Sequence, residues 1–281
     1  MKQLILLGAF LLLANTSIAQ QIVCSPADKN AFQAKIHEVN TLADQDDFGA
    51  TLVAIGKTFL GTPYVAKTLE VGEKESLVVN LRGLDCTTFV ENVLVFGLML
   101  KDEKRDFDSF TKTLEKVRYK DARLDGYASR LHYFSEWIAN NGAKGLLKDV
   151  TAEIGGTESN KDINFMSTHR ELYPFLKDDE DNFKKIKASE TELNDQVICI
   201  LARDQVAVQE HLIKSGDIIA LTTSIKGLDI THTGIATREK DGRIHLLHAS
   251  SSGQVEVSRL PLSDYLQRIK KNTGIMVARP N

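Results

Sequence analysis

Apolar positions recur at helical spacing over Lys29 to Thr41 and again over Phe48 to Leu60, and the breaker Gly61-Thr62-Pro63-Tyr64 closes the second segment. A short apolar run from Leu77 to Leu81 suits a strand. Thr87 to Leu100 is apolar on nearly every side, which predicts a central helix buried all round, and Ala128 to Ala139 has the spacing of another helix. Thr151 to Lys187 is polar, with charge clusters at Lys177-Asp178-Asp179-Glu180-Asp181 and Lys184-Lys185-Ile186-Lys187, and reads as a surface insertion at about 151–190. From Gly216 onward the pattern changes to short β-rich pieces: Asp217 to Leu221, Thr233 to Thr237, Ile244 to Ala249, Val255 to Ser258 and Ile275 to Ala278. Helices first and strands last imply an α+β fold, not alternating βαβ units.

The extreme amino terminus has another character. Met1-Lys2, the apolar run Leu4 to Leu13 and the small residues near Ser17-Ile18-Ala19 outline a secretory signal peptide over 1–19. A membrane anchor needs roughly 20 apolar residues, and Asn15 and Thr16 interrupt this run too early. The expectation is export to the periplasm without stable membrane insertion. Lipid attachment at Cys24 is the lesser alternative, because Val23 stands where a small residue should precede a modified cysteine. Residues 20–281 then form a single domain of ordinary hydrophobic and charged content. A net charge of -3 offers no basic stripe to a polyanion, so nucleic acid is not an expected partner. The three cysteines are an odd number for an exported chain. Cys24 and Cys199 could pair and leave Cys86 free, or all could stay unpaired; the second is favoured, since a buried thiol packs as a small hydrophobe.

Two places concentrate chemistry. Asp85 is a favourable N-cap, which puts Cys86 in the first turn of the buried helix. Unpaired N–H groups and the positive dipole end there should lower the thiol pKa, and the same N–H groups can donate to an oxyanion. From position alone, a buried structural cysteine at a helix start is the favoured reading. His232 and His248 flank Glu239-Lys240-Asp241-Gly242, which reads as a three-residue hairpin loop with Gly242 left-handed. That loop pairs Glu239 with Arg243, hence Gly234 with His248 and His232 with Ser250. Side-chain alternation then projects both imidazoles from one face as diagonal neighbours, one suited to act as base and the other as its orienter. His245 and His248, three apart on a strand, face opposite ways, and no His-Glu-x-x-His helix exists, so neither zinc nor another cofactor is expected.

These motifs carry a family resemblance. Gly61-Thr62-Pro63-Tyr64, Leu84-Asp85-Cys86-Thr87-Thr88-Phe89-Val90-Glu91, His232-Thr233-Gly234-Ile235 and His248-Ala249-Ser250 resemble the successive signatures of NlpC-type, papain-like cysteine hydrolases. Ser129-Arg130-Leu131-His132-Tyr133 with Trp137, Met166-Ser167-Thr168-His169 and the two threonines after the cysteine resemble the N-acetylmuramoyl-L-alanine amidase-like branch. The resemblance implies a buried helix carrying the nucleophile, packed on an antiparallel sheet, with helical and loop insertions. It implies Cys86 as nucleophile, His232 as base and His248 as the polar third residue, with Ser250 as the substitute for His248. Tyr64, Asp85 and Thr87 would line the pocket, and Arg130, His132, His169 and Tyr173 would hold sugar hydroxyls or peptide carboxylates. The implied substrate is a soluble peptidoglycan fragment carrying the anhydro sugar. The bond cut is the amide from the lactyl group of N-acetylmuramic acid to L-alanine of the stem peptide. The alternatives are an endopeptidase cutting after γ-D-glutamate within the stem and a non-catalytic wall-binding module.

Overall fold

Strands of the last third are apolar at consecutive positions because their sheet is covered on both faces. In the strand Ile218–Thr223, Ile218 and Ala220 join one core cluster while Ile219 and Leu221 join another. The structure is a computed structural model that describes residues 22–42 and 47–281; the expected signal peptide at 1–19 lies outside the described residues.

The described chain opens with β1 (Ile22–Cys24), α1 (Pro26–Asn40) and α2 (Phe48–Lys57), followed by β2 (Leu77–Val79), which pairs in parallel with β1. Three helices come next, α3 (Cys86–Lys101), α4 (Phe107–Arg118) and α5 (Phe134–Ala143). The middle of the chain carries β3 (Leu147–Asp149), β4 (Thr157–Glu158), α6 (Phe165–Thr168), α7 (Pro174–Lys177), α8 (Glu180–Asn194), β5 (Cys199–Ala202) and α9 (Val206–Gln209). The last third is β6 (Ile218–Thr223), β7 (Ile230–Arg238), β8 (Ile244–Ala249), β9 (Val255–Val257), α10 (Leu262–Arg268) and β10 (Asn272–Pro280). The main sheet runs in the order β4-β5-β10-β6-β7-β8-β9, antiparallel throughout, with β3 pairing β10 off that path. The architecture is thus mixed α and β with an antiparallel sheet and covering helices.

Helix α3 is the hub of the larger cluster. Phe89, Val90, Val93 and Phe96 are fully buried against α1, α2, α4 and the sheet. Burying each such side chain contributes about 1.5–3 kcal/mol. Glu91 is also buried on this helix and meets Arg118 of α4 at 2.8 Å; the guanidinium donates a further bond to the Val78 carbonyl, which ties β2 to both helices.

The structure corrects or adds to the sequence reading at three places. Ala128 to Ala139 is not one helix: Tyr127–Ser129 is a 3₁₀ turn and α5 starts only at Phe134. Arg130 bridges Tyr119 in extended form and Leu131 donates to the Arg118 carbonyl, so tertiary pairing overrides helical spacing there. Second, α4 was not anticipated, although Asp106 caps it and Phe110, Leu114 and Val117 form its buried stripe. Third, the polar stretch from Thr151 to Lys187, read as a surface insertion, carries packing of its own. Its Ile163, Met166, Leu176 and Ile186 pack with Tyr127 and Tyr133 in a separate apolar cluster. Cys24, Cys86 and Cys199 are all free thiols.

Candidate active site

The sequence Asp85-Cys86-Thr87-Thr88 folds as a capping box. The Asp85 carboxylate accepts from the Thr88 N–H at 2.8 Å, and the Thr88 hydroxyl accepts from the Asp85 N–H at 2.9 Å. Phe89 N–H bonds the Asp85 carbonyl. In a helix's first turn this leaves the N–H groups of Cys86 and Thr87 without a main-chain acceptor. Cys86 is the first residue of α3 and is half-buried.

Its thiol does not behave as the helix terminus alone would dictate. Burial, and then the Asp85 carboxylate, push its pKa up to about 11, against the smaller lowering influence of the Thr233 backbone and of Thr87. The desolvation cost outweighs the dipole, so Cys86 rests as a neutral thiol. These influences also locate it: the sulfur meets β7 at Thr233, the residue after His232.

The β7–β8 hairpin has the expected register. Ile235 faces Leu247 and Arg238 faces Ile244, Glu239 N–H bonds the Arg243 carbonyl, and Gly242 takes φ +79° at the turn. His232 and His248 therefore meet: His232 Nε2 lies 2.6 Å from His248 Nδ1, with the rings edge to face. Gly234 makes this approach possible, since a Cβ there would sit 2.8 Å from the Leu247 carbonyl oxygen and 2.9 Å from the His248 Cβ. A β-bulge between Leu221 and Thr222, opposite the His232 end of β7, ends the regular ladder beside the site. Burial, and then the neighbouring His248, hold His232 down at about 3; burial holds His248 at about 4, with Glu256 pulling it upward. Both imidazoles are neutral at physiological pH.

The expected pocket residues divide into two groups. Tyr64 stands with Cys86: its N–H bonds the Gly253 carbonyl, and its phenol pKa is raised by burial, then by Cys86 and Asp85. Asp85 and Thr87 adjoin the thiol. Arg130 and His132 instead gather around Tyr127, and Tyr173 adjoins them. The Arg130 guanidinium meets Glu75 at 3.0 Å and lies over the Tyr127 ring, so its charge is already matched. His132 Nε2 bonds the Tyr127 carbonyl, and His169 Nδ1 bonds the Phe165 carbonyl while its ring stacks on Phe165. Ser250 is engaged with Ser252 at 2.7 Å in the β8–β9 turn, leaving the contact with His232 to His248. His245 points away from the pair, toward the Ser258 carbonyl and Asp241.

Sequence reasoning missed two neighbours of His248. Tyr265 of α10 packs its ring edge to face on His248 at 5.6 Å between centroids, and Glu256 pairs with His248 across the β8–β9 ladder. No local signal marks Tyr265, because a helix far along the chain folds back to deliver it. Glu256 was legible in principle from the strand register. The larger cavities lie elsewhere. One of about 840 Å³ is lined by Glu75, Tyr127 and Phe175, another of about 560 Å³ by Thr157, Thr223 and Thr273, and neither includes Cys86, His232 or His248.

Comparison with known proteins follows the same residues. The sequence model of the AmiA-like family, described as N-acetylmuramoyl-L-alanine amidase-like, matches residues 54–275. A crystal structure of an N-acetylmuramoyl-L-alanine amidase from Bacteroides uniformis is 40% identical, with a TM-score of 0.79 over 83% of this chain and 99% of that one. A protein from Bacteroides fragilis solved as a putative xylanase is 43% identical, with a TM-score of 0.74 over 80% of this chain and 98% of that one. A Legionella pneumophila protein at 22% identity and a TM-score of 0.68, covering 89% of this chain and 93% of that one, shares the fold. No curated relative matches the chain.

Proposed function

The chain belongs to the N-acetylmuramoyl-L-alanine amidase-like family, and from that premise we propose that it hydrolyses the amide joining N-acetylmuramic acid to L-alanine in peptidoglycan fragments. Cys86 is the nucleophile in this reading, on a papain-like, NlpC-type framework. The observation that carries it is the 2.6 Å contact of His232 Nε2 with His248 Nδ1. It occupies one nitrogen of His232 and leaves Nδ1 for the thiol that meets the strand next door. With Nε2–H donated to His248, Nδ1 carries the lone pair a base needs.

The neutral pair sets the order of events. As Cys86 Sγ attacks the lactyl carbonyl carbon, His232 Nδ1 takes the thiol proton, so the thiolate exists only as the new bond forms. The N–H groups of Cys86 and Thr87 donate to the oxyanion. His232 then gives its proton to the alanine nitrogen, the C–N bond breaks, and the stem peptide leaves from a thioester. Water, deprotonated by His232, attacks the thioester, the C–S bond breaks, His232 returns the proton to sulfur, and the lactyl carboxylic acid leaves and ionises in solvent. Tyr64 adjoins the thiol, and Tyr265 packs on the His248 ring.

The anhydro form of the sugar is the proposed substrate, and residues 1–19 are proposed to direct export to the periplasm and to be removed. No described helix is long and apolar enough to cross a membrane. A xylanase reading, suggested by one relative's name, asks for a pair of carboxylates across the scissile bond; the hairpin here delivers two imidazoles beside a thiol. An endopeptidase acting after γ-D-glutamate would use the same trio. Incubation with an anhydro disaccharide-peptide followed by mass analysis separates these readings. Free disaccharide with an intact stem peptide is expected, and a dipeptide cut from within the stem would overturn the amidase assignment.

A further inference from the structure

His248 poses an unsolved hydrogen-bonding problem. If His232 offers its Nδ1 lone pair to the thiol, its Nε2 carries the proton and donates to His248 Nδ1. His248 must then be the tautomer protonated at Nε2. That nitrogen is buried, in a residue only 1% exposed, and has no partner among the described residues. A buried N–H without an acceptor is costly and demands one. Two groups adjoin the ring. Tyr265 presents its ring edge to face, a weak acceptor at best. Glu256 is the direct cross-strand partner of His248, and directly opposed residues have Cβ atoms about 4.5–5.5 Å apart on the same face, within reach of a glutamate side chain. The Glu256 carboxylate is half-buried, and one oxygen accepts from the Ser252 hydroxyl at 3.3 Å, while Oε2 has no partner among the described residues.

We propose that Glu256 is a fourth, positioning residue of the site, accepting the Nε2–H of His248 directly or through one water. This fixes the His248 tautomer and places an anion behind the imidazolium that forms on His232. The inference rests on the amidase reading only in requiring His232 to act as the base. It gives Glu256 no contact with substrate. Its effect passes through two rings: the carboxylate orients His248, His248 orients His232, and positive charge arising on His232 is shared along the chain of hydrogen bonds. Ser252, in the β8–β9 turn, holds the carboxylate in place, which gives that turn a part in the chemistry.

Side-chain ¹⁵N NMR of the histidines in the full protein tests this without substrate. The wild type and Glu256→Asp are expected to show His248 protonated at Nε2, and Glu256→Leu a mixture of tautomers. In parallel, Glu256→Leu should lower kcat by roughly tenfold with KM little changed, the scale set by outer partners of a catalytic group, and Glu256→Asp should restore most of it. The isosteric Glu256→Gln, which preserves strand packing, should keep the tautomer and lose part of the rate, since its amide accepts but carries no charge. An unchanged His248 tautomer in Glu256→Leu, or a wild-type His248 protonated at Nδ1, overturns the proposal. So does a rate loss in Glu256→Leu that Glu256→Asp fails to restore. Because the NMR reading needs no turnover, it stands apart from the product analysis of an anhydro disaccharide-peptide, whose failure would sink the amidase reading alone.

Discussion

In the proposed mechanism, a thiol held near pKa 11 and an imidazole held near 3 do not rest as an ion pair, so proton transfer accompanies attack. This has a measurable sign. His232 acts as a base only when neutral, and its folded pKa is lowered, so activity is lost only as pH falls through that lowered value. The acid limb of kcat/KM should therefore lie well below the ordinary histidine value of 6.5, and a limb at or above 6.5 would contradict the burial argument. Gly234 supplies a second check at this scale. Alanine there meets the Leu247 carbonyl oxygen at 2.8 Å and the His248 Cβ at 2.9 Å, so the hairpin must shift. Gly234→Ala should cost about 1–3 kcal/mol in a denaturant melt and lower kcat disproportionately, because the shift opens the imidazole contact.

Among the elements, α3 presents Cys86 with its first turn and builds a core with the rest. Glu91 and Arg118 are each 2% exposed, and neither charge can be left alone in that interior. Arg118→Met should destabilise the fold by about 3–5 kcal/mol by stranding the Glu91 carboxylate, and adding Glu91→Leu should recover most of it. Equal loss in the single and double variants would contradict this. The capping box is a smaller device: Asp85→Ala should cost about 1 kcal/mol in chemical denaturation. Such elements were unequally legible in the sequence. The β7–β8 register followed from one turn, since a three-residue loop with Gly242 leaves a single pairing and the side-chain period of two does the rest. Helix α3 followed from its unbroken apolar run. The start of α5 did not, because Arg130 is drawn into extended pairing with Tyr119 by partners remote in sequence. The depressed thiol pKa expected at the helix start failed for a similar reason: local dipole logic sees the helix, and burial by β7 and α10 is invisible to it.

Across the whole molecule, an antiparallel sheet packed on both faces presents the hairpin to the start of α3, and the middle segment adds a further apolar cluster around Tyr127. Its polar composition concealed this, since the buried members of that cluster, Ile163, Met166, Leu176, Ile186 and Leu193, are spread thinly among charged residues. Leu176→Ala should cost about 2–5 kcal/mol, checked by the shift of one cooperative melt, whereas a solvated insertion would keep the change within about 0.5 kcal/mol. The α+β class and the meeting of His232 with His248 were readable from pattern and turn chemistry. Glu256 and Tyr265 needed the strands and α10 brought together. Everything turns on Cys86 acting as the nucleophile, and the most direct measurement is hydrolysis of an anhydro disaccharide-peptide by Cys86→Ala beside the wild type. The account expects no stem-peptide release by a variant that still folds and still binds the substrate; release at the wild-type rate would contradict it.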